Sequence, residues 1–183
     1  PDGTGCGCCG GGSALGILNY TTQGGETLQF QGVHRSGNGL TNGVIKVYQV
    51  VAHEFGHAWG LGHGNALDCG ADIIRPNNTG CSTLEYGNPF DGMSGGFHGH
   101  FSAPQKWQLG WISESQMVTV NSPGEYGFLL EPLQTVEGLK TIRILRNVEA
   151  SGISNWFFLE NRQAIGFESY LSQQSQAQNV DQG

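Results

Sequence analysis

His53-Glu54-Phe55-Gly56-His57-Ala58-Trp59-Gly60-Leu61-Gly62-His63 fits the pattern H-E-x-x-H-x-x-G-x-x-H at every fixed position. It closes the stretch that reads most clearly as a helix. From Val44 to Trp59, Val44, Val47, Val50, Val51, Phe55 and Ala58 recur at helical spacing, with no proline and no glycine before Gly56. His53 and His57 therefore project from one helix face, a turn apart. Gly60 lets the chain leave the helix in a left-handed turn, which brings His63 back as a third ligand. Glu54 stands one step round the helix from His53, within reach of a water on the ion but not placed as a ligand itself.

Three neutral imidazoles on a zinc ion leave one tetrahedral position for water and lower that water's pKa towards about 7. Glu54 is then the general base that takes the proton and later delivers it to a leaving amine. The expectation is one catalytic Zn2+ held by His53, His57 and His63, in a hydrolytic site. Ordinary helix histidines are the first alternative, but the fixed positions would arise by chance with a probability on the order of 10⁻⁴. The second is a structural zinc closed by a fourth protein ligand, for which Asp68 and Cys69 are the nearest downstream candidates; it gives Glu54 no purpose.

Away from the motif the chain is glycine-rich and weakly charged. Of 183 residues 31 are glycine, and Asp, Glu, Lys and Arg make 13% where about 25% is usual. The formal charge is -7, and the eight basic residues are scattered. A phosphate backbone meets no continuous positive track, so nucleic-acid binding is disfavoured. No apolar run is long enough for a membrane span. The start at Pro1 shows neither an initiator Met nor a signal peptide, which reads as a processed or partial chain.

Ahead of the helix, Ala14 to Tyr20 and Thr27 to Val33 have strand character and are separated by Gly24-Gly25. Residues 60 to 101 read as irregular. Ser102-Ala103-Pro104-Gln105 opens a short second helix with a capping box, running to Leu109 and stopped by Gly110. Beyond Trp111 the pattern turns to strands: Met117 to Val120, Tyr126 to Leu130, Leu139 to Leu145 and Trp156 to Glu160. Ser172 to Gly183 reads as a tail, or a strand whose partners lie beyond this chain.

Of the five cysteines, Cys6, Cys8 and Cys9 crowd the front, with pairing left open, while Cys69 and Cys81 could bridge across a polar loop. That loop carries the sequon Asn77-Asn78-Thr79, and Asn19-Tyr20-Thr21 is another. A Cys69–Cys81 disulfide and glycans at Asn77 and Asn19 would together favour an oxidising, secretory compartment. His98 and His100, and His34 beside Arg35, read as solvent-facing. Trp107 and Trp111 read as core rather than as a substrate platform. Glu85 and Tyr86 could orient one of the ligand histidines, although the sequence does not say which groups serve.

The eleven-residue motif resembles the metzincin clan of zinc endopeptidases. Two further stretches narrow the likeness: Glu85-Tyr86-Gly87-Asn88-Pro89-Phe90-Asp91-Gly92-Met93, and Phe101-Ser102-Ala103-Pro104-Gln105-Lys106-Trp107-Gln108-Leu109-Gly110-Trp111. Together they are similar to the gametolysin family (peptidase family M11), and Asn155 to Arg162 fits that family's β-rich end. The resemblance implies that His53, His57 and His63 bind zinc, that Glu54 is the base, and that Met93 forms the apolar floor of the Met-turn. Ser94 and Gly95 follow Met93, so the tyrosine that some metzincins place two residues after it has no counterpart there. Asn88 stands where the family more often shows Asp.

The expected architecture is α+β: a metzincin-like zincin with an active-site helix, a Met-turn, a short C-terminal helix and a β-rich end. Residues 1–112 are expected to form the catalytic core and 113–183 a truncated C-terminal segment. The sheet ahead of the helix is expected to be incomplete, and the stretch Gly10 to Tyr20 to hold an extended substrate, by analogy of fold. What the resemblance implies is a secreted zinc endopeptidase acting on extracellular or cell-wall glycoproteins, outside the cell, with the rest of a longer chain or an extracellular assembly as a further partner. The rivals are a zinc amide hydrolase for small substrates and a metzincin-like structural or binding module with little activity.

Overall fold

The computed structural model describes residues 12–35, 44–95, 99–169 and 171–172. Cys6, Cys8, Cys9, His98 and the tail beyond Ser172 lie outside them, as does the side chain of His34. The chain divides into two compact units, Pro1–Gly99 and His100–Gly183. The architecture is mixed α+β, with small sheets and few helices.

In the first unit β1 (Gly12–Thr21) pairs antiparallel with β2 (Thr27–Arg35), from Thr21 opposite Thr27 out to Gly12 opposite Arg35, with a one-residue register shift between Ala14 and Ile17. The connection uses the expected glycines: Gly25 takes φ 82°, and the Thr22 amide donates to the Glu26 carbonyl at 2.8 Å. Helix α1 (Val44–Ala58) follows and lies against both strands. It ends in a complete Schellman motif. Gly60 sits at φ 87°, its amide donates to the His57 carbonyl, and the Leu61 amide donates to the Gly56 carbonyl, both at 2.9 Å.

The stretch expected to be irregular contains a short hairpin. β3 (Ala66–Asp68) pairs antiparallel with β4 (Ser82–Leu84), and a Cys69–Cys81 disulfide ties the strand ends together. Three residues on each side are too few for a period to show in the sequence, and the crosslink supplies the closure that pairing alone would not. Asn77 lies in a 3₁₀ turn, Pro76–Asn78, inside this loop, while Asn19 lies on β1 and is exposed.

In the second unit α2 (Ala103–Gln108) is capped as its sequence indicates, the Ser102 amide donating to Gln105 Oε1 at 3.0 Å. Ala103 and Ile112 share a small core with Leu133, against which Met117 packs. β5 (Met117–Val120) runs parallel to β6 (Thr141–Val148), and β6 pairs antiparallel with β7 (Ser154–Glu160).

Three expectations are corrected here. Tyr126 to Leu130 alternates like a strand but is not one. Asn161 Nδ2 donates to the Leu130 carbonyl and the Glu131 amide donates to Leu139, so this backbone is satisfied piecemeal without a ladder. Trp107 and Trp111 are 39% and 53% exposed. The helix stops at Gln108 and Gly110 takes φ 73°, so spacing by four does not put them on one face; each lies instead against a different ring, Phe158 and Phe101. His100 is half-buried rather than solvent-facing. Its amide donates to Glu168 Oε1 at 2.9 Å, and burial holds its imidazole below the ordinary pKa.

Candidate metal centre

The structure brings His53, His57 and His63 together. Their nearest ring nitrogens lie within 4.8 Å of one another, and they form the one group of three or more His, Cys, Asp or Glu side chains suited to an ion among the described residues. Helical spacing supplies the first two, and the left-handed exit at Gly60 supplies the third.

Each ring is oriented through its Nδ1. His53 Nδ1 faces the Gly92 carbonyl at 3.3 Å and His57 Nδ1 the Leu61 carbonyl at 2.9 Å. A carbonyl only accepts, so in both rings Nδ1 carries the hydrogen and Nε2 keeps its lone pair. His63 Nδ1 meets Glu85 Oε1 at 2.8 Å, with the same consequence when that carboxylate is ionised. Three acceptors on Nδ1 thus leave Nε2 of each ring as the nitrogen with a lone pair for an ion, the arrangement by which metal-binding histidines are fixed.

His53 is 2% exposed. Burial, and then the neighbouring charge of His57, push its pKa down to about 4, so the ring is neutral at pH 7 and its lone pair is available. Its Nε2 and Oε1 of Glu54 are buried with no hydrogen-bond partner. Two orphaned acceptors on consecutive residues would be costly in a closed core, whereas an ion and its water would satisfy both. The residues present therefore fit a zinc ion. Asp68 is exposed and lies outside the histidine cluster, and Cys69 is bonded to Cys81, so neither candidate for closing a structural site joins the three imidazoles.

Met93 is fully buried. Its turn is bound directly to the residue after the third histidine: the Gly64 amide donates to the Met93 carbonyl at 2.8 Å, and the Asn88 amide to the Gly64 carbonyl at 3.0 Å. Asp91, 3% exposed, accepts the Met93 amide at 2.8 Å through Oδ1. Gly64 is required by this approach, since a Cβ there would stand 2.7 Å from Asp91 Cβ. Asp91 and Gly64 were not foreseen as site residues. The spacing of Asp91 two residues before Met93 is an Asx-turn signal that could have marked the first; nothing local marks the second.

Glu85 and Tyr86, for which the sequence left the partner open, both serve His63. Glu85 takes Nδ1, and the Tyr86 hydroxyl lies 2.8 Å from Nε2.

Among known families, the model described as metallo-peptidase family M12 (Reprolysin_5) matches residues 4–94, from the front of the chain to just past Met93. No curated protein and no solved structure matches the chain. The family match supports a zinc metallopeptidase in general, and a metzincin-like zincin fold agrees with it and with the histidine cluster. It does not single out the gametolysin family. No helix among the described residues is long and apolar enough to cross a membrane.

Proposed function

We propose that the chain is a secreted zinc endopeptidase in which His53, His57 and His63 hold the ion, Glu54 is the general base and Met93 is the floor beneath the ligands. The observation that carries this reading is the buried, unpartnered Glu54 carboxylate oxygen on the residue next to His53, whose own Nε2 is buried and unpartnered within the cluster of three histidines. When bound, the zinc would polarise a scissile carbonyl and acidify a water. Glu54 would accept that water's proton and return it to the leaving amine, and its burial keeps competing water from its carboxylate. The fixed tautomers of His53 and His57 hold the ligand set in place without further rearrangement.

The gametolysin resemblance extends to residues beyond the M12 match, in 101–111 and 155–162, and extracellular or cell-wall glycoproteins are the substrate class it suggests. The Cys69–Cys81 bridge and the two sequons support an oxidising, secretory location.

The test is Glu54→Gln in the full chain with zinc content measured alongside. Zinc should stay stoichiometric while cleavage of a casein-type substrate falls by about 10²-fold or more. Equal proteolysis by the two proteins would end the assignment. Turnover of small amides without turnover of proteins would favour the small-substrate hydrolase.

A further inference from the structure

Tyr86 adopts φ 59°, the left-handed region that an aromatic residue rarely enters and that costs on the order of 1–3 kcal/mol. Several contacts impose that conformation. Asn65 Oδ1 accepts the Tyr86 amide at 3.1 Å, the Gly87 amide donates to the Leu84 carbonyl at 3.1 Å, and Gly95 leaves room for the ring, since a Cβ there would stand 3.2 Å from Tyr86 Cβ. The outcome is a ring laid over two of the three imidazoles, 3.9 Å from His63 and 6.1 Å from His53 between centroids.

The hydroxyl ends 2.8 Å from His63 Nε2. That is the nitrogen left facing inward by the Glu85 contact, and so the one that would bind the ion. Two donors at the usual ~2.0–2.2 Å from a shared zinc stand about 2.8–3.6 Å apart for angles near 90–110°. The observed separation falls in that range.

We infer that Tyr86 is a fourth protein donor of the metal centre, presenting its phenolic oxygen to one of the positions the three imidazoles leave open; this rests on the zinc-peptidase reading above. It approaches from ahead of the Met-turn, by way of the β3–β4 hairpin, where Ser94 and Gly95 after Met93 provide no such group. Zinc accepts five ligands, so a water beside Glu54 is still accommodated.

Two measurements on the full chain test this. Loaded with Cu(II) in place of zinc, the wild type should show a visible phenolate-to-copper charge-transfer band that Tyr86→Phe lacks. In competition with a chromophoric chelator at pH 7, Tyr86→Phe should bind zinc about tenfold more weakly or worse. Absence of the band from the wild type, or an unchanged zinc Kd in Tyr86→Phe, overturns the donor role. If zinc uptake and Glu54-dependent proteolysis persist in that case, the peptidase reading stands without it. A wild type that takes up no zinc, or takes it up equally after His57→Ala, sinks both. Should Tyr86→Phe fail to fold, the wild-type spectrum decides, together with Asn65→Ala, which keeps the phenol but frees its backbone and should weaken the band.

Discussion

Glu85 offers the cleanest perturbation of the centre, because it is the one acceptor of a ligand Nδ1 that belongs to a side chain. His53 and His57 lean on the carbonyls of Gly92 and Leu61, which no substitution removes. Glu85 Oε1 lies 2.8 Å from His63 Nδ1, with the two side chains 67% and 20% exposed. Outer partners of this kind are worth about 10- to 100-fold in metal affinity. Solvent on the carboxylate screens most of its charge, so the lower end applies: Glu85→Ala should raise the zinc Kd about 10-fold, or about 1.4 kcal/mol. Glu85→Gln keeps an acceptor oxygen in reach and loses only the screened charge, so about 2- to 3-fold is expected. Chelator competition at fixed pH and ionic strength reads all three proteins on one scale. Equal affinities for Glu85→Ala and wild type would refute the claim that this contact orients His63. A loss as large for Gln as for Ala would show that charge, not ring orientation, carries the effect.

Other substitutions probe the frame around the site. Gly64→Ala drives a methyl into Asp91 Cβ, which no side-chain rotation can move, and should cost about 1–3 kcal/mol in thermal unfolding and weaken zinc binding with it. Gly62→Ala meets nothing within 4 Å and should change stability by no more than about 0.5 kcal/mol. Replacing Cys69 and Cys81 by Ala should cost roughly 3 kcal/mol in denaturant unfolding by the loop-entropy argument. It should also make Glu85→Ala less harmful to zinc binding, since the hairpin that presents Glu85 is already loosened. In the second unit, burial above all holds Lys106 down to about 8. The unfolded chain then binds more protons than the folded one between pH 8 and 10.5, so this residue's contribution rises with pH across that window. Wild type should gain about 1–3 kcal/mol relative to Lys106→Met from pH 8 to 10.5, and a flat difference would contradict the burial argument.

What the sequence made legible is what short-range rules govern. The 3.6-residue period delivered α1 with His53, Glu54 and His57 on it, and one glycine with one allowed backbone state delivered the exit towards His63. The capping box at Ser102 and the span of β5 are local in the same sense. Tyr126 to Leu130 marks the limit of such rules. Alternation states which face a strand would bury, but it takes a neighbouring edge to make the strand, and nothing local reports whether one exists.

The rest of the site belongs to pairings at long sequence separation. Glu85 and Tyr86 reach His63 because a three-pair hairpin and a disulfide fold residues 66–84 back on themselves, and the Met-turn reaches it because Gly64 lacks a side chain. A three-residue strand buries too little to announce itself, so only the cysteines hinted that this loop closes. The strained backbone of Tyr86 follows from the same closure: Asn65 and Gly87, held by the two arms of the hairpin, leave the residue between them no extended alternative. The helix therefore specifies which atoms can bind an ion, while the loop after it determines how those atoms are aimed. A change within 64–93 should accordingly act on metal affinity before it acts on the fold of α1, and a change within α1 should act on both at once.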